Sequence, residues 1–281
     1  MVATPIGNLR DITLRAIETL KHADLVLAED TRVTRKLFSA YGISARIEPY
    51  HEHNAEAAGA RALAALAEGA AIALVSDAGT PLVSDPGERL VRSAIEAGHR
   101  VIPIPGASAL LAAVSAAGLP GGRFMFAGFP PPKSKARRDD FATLAAVPAS
   151  LVFFESGPRL GESLADMATV FGARPAVIGR ELTKMFEEFR RGALDELAKT
   201  AALDDPPKGE IVIVVAAPAP QASVTEADIE AGRADGELRR ALVRLPVREA
   251  AQEVAAVLAA PRRALYQRAL FLKGQTRKGE A

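Results

Sequence analysis

The chain has 281 residues, no cysteine and a formal net charge of +1. That length supports one large or two ordinary domains with sizeable cores. The lack of cysteine excludes disulfide frameworks, thiolate catalysis and Cys-ligated zinc. The near-neutral charge excludes a uniformly basic nucleic-acid binder while leaving room for local basic patches. Hydrophobic residues make up 49% and charged residues 25%, a globular composition. No apolar run reaches membrane-spanning length, and the first residues lack the charged-then-apolar pattern of a signal peptide, so a cytoplasmic location is the expectation.

Residues 1–3 read as a strand, short for a first strand, and the expectation is that a few residues of it are missing. The tight loop Thr4-Pro-Ile-Gly-Asn-Leu9 follows. A helix over about 11–23 places Ile12, Ala16, Ile17 and Leu20 on its apolar side. Residues 24–28 predict a second strand, ending in Glu29-Asp-Thr-Arg32. A helix over 33–40, a short strand near Arg46, the polar stretch Tyr50-His-Glu-His-Asn54 and an Ala-rich helix over 55–68 come next. The apolar run 70–75 breaks into Ser76-Asp-Ala-Gly-Thr-Pro-Leu-Val-Ser-Asp-Pro-Gly87, and a helix over 88–97 follows. That is a strand, a crowded turn and a helix. Residues 101–104 predict another strand, running into Pro105-Gly-Ala-Ser108 and an apolar helix over 109–117.

Residues 118–122 read as a linker. Phe124, Phe126 and Phe129 then precede three prolines and the basic segment Lys133-Ser-Lys-Ala-Arg-Arg138. A helix over 139–146 leads to a strand over 150–154 that ends in Glu155-Ser-Gly-Pro-Arg159. A helix over 160–171, a strand over 175–178 and Arg180-Glu-Leu-Thr-Lys184 follow; Glu187-Glu-Phe-Arg-Arg-Gly192 leads into a helix over 193–201. The all-apolar run 211–215 suits a centrally buried strand. Residues 217–221 form an Ala/Pro-rich linker, and 224–273 a small helical tail. In that tail, 248–258 and 264–272 pair as a hairpin broken at Pro261, and Arg244, Arg248, Arg262, Arg263, Arg268 and Lys273 make it basic. Strands alternating with helices predict a mostly parallel sheet covered on both faces.

Five strand ends carry conspicuous polar or conformationally special residues: 4–8, 29–32, 76–85, 105–108 and 155–159. One such end is ordinary turn chemistry. Five, spread over both halves, point to a cleft assembled from many loops, at the carboxyl ends of strands where open α/β sheets hold ligands. No Gly-x-Gly and no Gly-Lys pair occurs, so neither a dinucleotide fingerprint nor a P-loop is present. His51 and His53 share a side of their stretch, but no third and fourth ligand stand at metal-binding spacing, so a polar rim is expected there and no metal. No Gly-x-Ser-x-Gly elbow is present. The basic segment is either a solvated loop with a helix start or a mobile phosphate-gripping arm. Glu181 and Lys184 are either members of surface ion pairs or active-site groups just after a strand.

These same residues carry a resemblance. Ala3-Thr-Pro-Ile-Gly-Asn-Leu-x-Asp-Ile-Thr13, Ala28-Glu-Asp-Thr-Arg32, Tyr50-His-Glu-His-Asn54 and Val75-Ser-Asp-Ala-Gly-Thr-Pro81 stand in the order and spacing of one family. So do Pro103-Ile-Pro-Gly106, Gly128-Phe129 with Lys133 and Arg137-Arg138, Arg180-Glu-Leu-Thr-Lys184 and Gly209-Glu210. The chain resembles the 16S ribosomal RNA cytidine 2′-O-methyltransferases of the tetrapyrrole-methylase superfamily, from about residue 2 to 217 and more loosely through the tail.

The resemblance implies an α/β, tetrapyrrole-methylase-like fold of two domains, 1–119 and 123–217, with a helical C-terminal extension, 222–281. S-adenosylmethionine is expected in the cleft between the domains, and a homodimer as the working unit. The implied reaction is methyl transfer to the ribose 2′-oxygen of a cytidine in the decoding region of 16S rRNA, within the small ribosomal subunit. Carried over position by position, the cofactor contacts fall to Pro5; to Asp77, Thr80, Pro81 and Val83; to Ser108, Ser115 and Ala116; and to Phe154, Leu182 and Gly209. Lys133, Lys135, Arg137 and Arg138 would grip RNA phosphates, with the basic tail. A 2′-hydroxyl has to lose a proton, which calls for a general base. Asp30, Asp77, Glu155 and Glu181 are candidates, with Arg32 and Lys184 able to shift their pKa values. Asp30 and Glu155 rank first because they end strands beside Arg32 and Arg159.

Two features depart from the family pattern. Gly157-Pro158-Arg159 stands where the family often has Pro-His-Arg, and the first strand is short. Two alternatives remain: a methylase of tetrapyrroles or similar small acids, and a non-catalytic ribosome-assembly factor. The basic arm and the lack of a glycine-rich first loop oppose the first; the intact cofactor-loop motifs oppose the second.

Overall fold

The apolar run expected at 24–28 becomes the central strand of a small parallel sheet. In the computed structural model, which describes residues 1–119, 122–219, 226–258 and 260–278 (side chains as far as Lys273), β1 (Leu25–Ala28), β2 (Ile47–Pro49) and β3 (Ile72–Val75) lie in the order β2-β1-β3. Both pairings are parallel. Parallel neighbours need crossover connections. These are α2 (Thr31–Tyr41) and α3 (Ala55–Ala67), with α1 (Leu14–Lys21) before β1 and α4 (Glu88–Glu96) after β3. Thr13 caps α1 by accepting the Ala16 N–H, and Asp30 caps α2 by accepting the Arg32 N–H. One face of the sheet packs Val26, Ala28, Ala73 and Val75 on Ala16, Leu20, Leu37 and Phe38. The other packs Leu25, Leu27 and Leu74 on Tyr50, Ala58, Ala62 and Leu90.

The strands expected at 1–3 and 101–104 are absent as strands. Each contributes a single parallel bridge, Val2 to Ile104. The Val2 N–H reaches the Leu74 carbonyl at 2.9 Å and the Ala3 N–H reaches Ile104 at 3.1 Å. Pro103 and Pro105 have no N–H to extend that ladder.

After α5 (Ala109–Ala117), the second sheet contains β4 (Phe124–Gly128), β5 (Ser150–Ser156), β6 (Pro175–Arg180), β7 (Glu188–Ala193) and β8 (Glu210–Val215), in the order β4-β5-β8-β6-β7. Only β4 and β5 run parallel; β8 is antiparallel to both its neighbours, and β6 is antiparallel to β7. The expectation of a mostly parallel sheet therefore holds for the first sheet and fails for the second. The short turn between β6 and β7 permits only an antiparallel pair. β8 sits centrally, with Ile211 to Val215 buried. β7 was not expected, because its charged edge residues hide the alternation that marks a strand.

Helices α6 (Ser134–Leu144), α7 (Leu160–Phe171) and α8 (Leu194–Leu203) cover one face of this sheet through Phe141, Leu164, Met167 and Leu194 on Leu151, Phe153 and Ile213. On the other face, Val152, Val177, Val212 and Val214 meet Ile6, Ala113, Ala117 and Leu182, which ties the second sheet to α5 and the first loop. Helix α6 begins at Ser134 and not near 139, so the basic segment, apart from the capping Lys133, forms its first turn.

Met1–Ala217 forms one compact unit and Pro218–Ala281 another. In the second, α9 (Glu226–Glu230), α10 (Asp235–Arg244), α11 (Val247–Leu258) and α12 (Arg262–Lys278) enclose a core that includes Leu238, Ala250, Val254, Leu265, Ala269 and Leu272. The hairpin expected across Pro261 is α11 and α12; α9 and α10 are additional helices. The expected linkers at 118–122 and 217–221, and the start of the tail at 224, fall partly outside the described residues. Among the described residues, no helix is long and apolar enough to cross a membrane.

Candidate active site

The loop after β3 folds back onto the first loop. The Thr4 N–H donates to the Gly79 carbonyl at 2.9 Å, the Gly79 N–H returns to Thr4 at 3.0 Å, and the Thr4 hydroxyl reaches the Ser76 carbonyl at 3.2 Å. Leu82 and Ser84 sit in left-handed backbone, at φ 74° and 67°. Each such non-glycine residue costs about 1–3 kcal/mol, strain that concentrates at ligand sites.

Two adjoining cavities open where these loops face the entry of β8. The first, of about 260 Å³, is lined by Gly79, Thr80, Val83, Ser84 and Asp85 from the loop, by Ser108, and by Phe129, Phe154, Gly209 and Ile211 across from it. The second, also of about 260 Å³, is lined by Pro5, Gly7, Leu9, Thr34, Lys36, Asp77 and Lys184. The cavities share Ile6, Ala78 and Glu210.

Of the residues expected to hold the cofactor, Thr80, Val83, Ser108, Phe154 and Gly209 line the first cavity, and Pro5 and Asp77 the second. Pro81 is buried under the loop. Leu182 is buried in the apolar cluster that joins the sheets. Ser115 and Ala116 lie exposed on α5 and line neither cavity; the Ala116 carbonyl accepts from Arg191 at 2.7 Å.

The candidate bases occupy contrasting surroundings. Asp30 accepts the Arg32 N–H at 2.8 Å and the Arg32 guanidinium at 2.6 Å, while its own N–H donates to Asp77 at 2.8 Å. The hydrogen bonds from Arg32 hold the Asp30 carboxyl down at about 2. Glu29 is pushed up by burial and by the charges of Asp77 and Asp85. Asp85 is also pushed up by burial; the Ser76 hydroxyl opposes the shift and Asp77 adds to it. Glu155 is buried, accepts the Ser163 hydroxyl at 2.5 Å and the Ser156 N–H at 2.8 Å, and lies 3.4 Å from Arg159. Arg159 in turn reaches the Pro130 carbonyl at 2.5 Å, so this group staples the turn after β5 to the proline segment.

Lys184 binds Glu181 at 2.8 Å and Glu210 at 3.2 Å. The Lys184 hydrogen bond lowers the Glu181 carboxyl. Burial acts to lower Lys184, but Glu181 and Glu210 outweigh it and hold the ammonium above its ordinary value. Two glycines make room for this arrangement. A Cβ on Gly7, at φ 146°, would lie 2.5 Å from the Lys184 stem, and one on Gly209, at φ 102°, would lie 2.3 Å from Glu181 Oε1. The Thr183 hydroxyl donates to Asp11, tying the β6–β7 turn to the first sheet's side of the cleft.

Lys133, Lys135 and Arg138 are exposed around the first turns of α6. Arg137 corrects the expectation for this segment. Its side chain is 1% exposed, and its Nη2 lies 2.7 Å from Asp166. Helical periodicity turns this one cation inward. Ile6, Phe129 and Glu210 stand inside motifs quoted from the sequence and Asp85 inside the crowded turn, but none was named there as a site residue. His51 and His53 stand with rings 6.0 Å apart, and among the described residues no group of three His, Asp or Glu is arranged to hold a metal.

A family model described as Tetrapyrrole (Corrin/Porphyrin) Methylases matches residues 1–198, and one described as RsmI C-terminal HTH domain matches residues 227–273. The ribosomal RNA small subunit methyltransferase I of Mesorhizobium japonicum is 53% identical over 281 residues, spanning 100% of this chain and 94% of that protein. Its counterpart from Erythrobacter litoralis is 50% identical over 274 residues, spanning 97% and 94%. A solved cobalamin biosynthetic enzyme, cobalt precorrin-4 methyltransferase, shares the fold at a TM-score of 0.57 and 18% identity, over 76% of this chain and 92% of that one. The chain belongs to the tetrapyrrole methylase family and, within it, to the group of the ribosomal RNA small subunit methyltransferases I.

Proposed function

We propose that this chain is an S-adenosylmethionine-dependent methyltransferase of small-subunit ribosomal RNA, and that its acceptor is the ribose 2′-oxygen of a cytidine in the decoding region of 16S rRNA. The full-length identity of 53% to a ribosomal RNA small subunit methyltransferase I carries this reading. The cleft residues fit the cofactor. Ile6, Val83, Phe129 and Phe154 give apolar and aromatic walls, and Gly79 and Gly209 put bare backbone in the lining. Glu210 supplies a carboxylate toward a cationic ligand. When bound, the cofactor supplies an electrophilic methyl group on a sulfonium centre.

The chain itself positions the acceptor and removes one proton. Orientation of reacting groups accounts for about 7–11 kcal/mol of barrier lowering. A general base works best when its pKa approaches the working pH. Asp30, held at about 2 by Arg32, accepts a proton poorly, and both oxygens of Glu155 are occupied. Asp85 and Glu155 both line the first cavity; Asp85 is pushed upward, so we rank it ahead of Asp30 and Glu155. Lys184, fixed by Glu181 and Glu210, places a permanent cation at the second cavity, suited to the ribose-phosphate of the acceptor strand.

Lys133, Lys135 and Arg138, together with the exposed Arg248, Arg262 and Arg263 of the tail, are assigned to RNA phosphates. Residues 1–119, 123–217 and 222–281 are taken as the functional divisions, the cytoplasm as the place of action and a homodimer as the working unit. The half-exposed Phe124 and Met125 on edge strand β4 and Leu111 on α5 support the dimer. The test is incubation with labelled S-adenosylmethionine and one of three acceptors: methylation-deficient small subunits, naked 16S rRNA or a tetrapyrrole. Label on a cytidine 2′-oxygen is expected. Label on the tetrapyrrole alone, or cofactor binding with no transfer to any acceptor, would overturn the reading.

A further inference from the structure

We infer that the tip of the β6–β7 hairpin, Met185 and Phe186, is a stacking platform for an unpaired base of the RNA strand at the mouth of the cleft. The inference rests on the RNA-methyltransferase reading above. Met185 is 91% exposed and Phe186 68%. A single exposed apolar side chain is ordinary. Here two large ones stand side by side on a turn that is held from several directions.

Glu181 and Thr183 both adopt left-handed backbone, at φ 49° and 66°. The Thr183 N–H donates to Glu187 at 2.6 Å, the Lys184 N–H to the Glu181 carbonyl at 3.0 Å, and the Glu187 N–H back to the Lys184 carbonyl at 3.2 Å. The Thr183 hydroxyl is tied to Asp11 across the cleft. The Lys184 ammonium is tied to Glu181 and Glu210, and its stem lies against Gly7. Backbone strain, rigid anchoring and apolar exposure coincide on one turn, a combination that points to function.

The position selects the ligand. Lys184, the preceding residue, lines the second cavity together with Asp77 and Leu9. To deliver its 2′-hydroxyl there, a ribose has to leave a stacked strand, and the bases released present π-faces. Aromatic side chains hold such bases by stacking, without regard to sequence. A broad protein partner is disfavoured, because the tip is flanked by the charged residues Lys184, Glu187 and Glu188 and offers only two apolar side chains.

The chain contains no tryptophan, so Phe186→Trp installs a single reporter at the tip. Its emission is expected to be quenched by a single-stranded oligoribonucleotide from the decoding region and much less by the same sequence in a duplex. Phe186→Ala is expected to raise KM for the RNA acceptor by about 5- to 150-fold, the range for loss of one base–aromatic stack. The affinity for S-adenosylmethionine and the unfolding midpoint should not move. Phe186→Tyr should restore KM and Phe186→Leu should not. An unquenched tryptophan, or an unchanged KM in Phe186→Ala, would overturn the platform. So would a changed oligomeric state in Phe186→Ala with KM unaltered, which would make the tip a contact between copies of the chain. Quenching without transfer to any RNA would support the platform while overturning the methyltransferase reading; neither quenching nor transfer would overturn both.

Discussion

Replacing Arg137 separates two roles that sequence assigns together to the basic segment. The guanidinium hydrogen-bonds Asp166 through Nε at 2.8 Å and the Pro132 carbonyl through Nη1 at 3.3 Å. The Asp166 side chain is itself only 9% exposed; it also receives the Ser134 hydroxyl at 3.0 Å and has Arg138 at 3.7 Å. Truncation to alanine strands that carboxylate with its weaker partners. Breaking a buried ion pair from one side costs about 3–5 kcal/mol, and the surviving Ser134 and Arg138 contacts place Arg137→Ala near the lower end. For a unit of this size each 1 kcal/mol moves the thermal midpoint by about 2–4 °C, so a fall of about 6–12 °C is expected. Arg137→Met combined with Asp166→Leu removes both charges and should recover most of the loss. Lys133→Ala and Lys135→Ala should leave the midpoint unchanged. Each should instead lower the slope of RNA affinity against salt by about one, as loss of a phosphate contact does. Calorimetric unfolding and salt-dependent RNA binding on the same variants decide the matter. If Arg137→Ala keeps its midpoint within about 2 °C, well under the shift one broken buried pair implies, and flattens the salt slope, the guanidinium grips phosphate and the structural reading of it is wrong.

Three further outcomes follow from the cleft. Gly209→Ala puts a Cβ 2.3 Å from Glu181 Oε1 at φ 102°; denaturant unfolding should show the fold weakened by about 1–3 kcal/mol, the scale of such backbone strain, and an unchanged stability would refute the close approach. Asp85→Asn should remove the acidic limb of the pH–rate profile and lower kcat by about 10²–10⁴. Because burial raises the folded-state pKa of Asp85, wild-type stability falls as pH rises from the unfolded value of about 3.9 through the folded one; the Asn variant should gain on wild type at high pH and lose that advantage in acid. Arg32→Ala should let the Asp30 carboxyl, now at about 2, rise toward about 3.9 in an NMR titration. The share of stability that Asp30 holds above its unfolded value in the wild type, and loses as pH falls toward its folded one, should shrink and not vanish, because the capping N–H of residue 32 remains.

Elements were legible where apolar periodicity was long and unbroken. Helices over 109–117 and 160–171 are α5 and α7, and the run 211–215 is the buried centre of its sheet. The failures share a cause, which is that a distant partner decides the outcome. β7 reads as polar because Glu188 and Arg190 make pairs with Arg180 and Asp204 at a sheet edge. Arg137 reads as one more exposed cation because the carboxylate that buries it lies 29 positions on. The Thr183–Asp11 contact spans 172 positions, and no local pattern announces it.

The cleft repeats this lesson in its chemistry. Glu29, Asp30, Asp77 and Asp85 stand in the loops that follow two neighbouring strands, and as letters in a sequence they are near-equivalent acids. Packing makes them unequal. Asp30 is driven down because it caps α2 through the Arg32 N–H and the Arg32 guanidinium wraps its carboxylate. Asp85 is driven up because it is half-buried, in a cavity it shares with Val83, Phe129 and Phe154. Carboxylates whose environments push their proton affinities apart are the ones that take different parts in acid–base chemistry. Sequence ranked Asp30 first because a cation stands beside it, and that same cation is what makes it a poor proton acceptor. The walls that raise Asp85 come from both sheets, so the order among these acids is settled only when the two halves of the cleft meet.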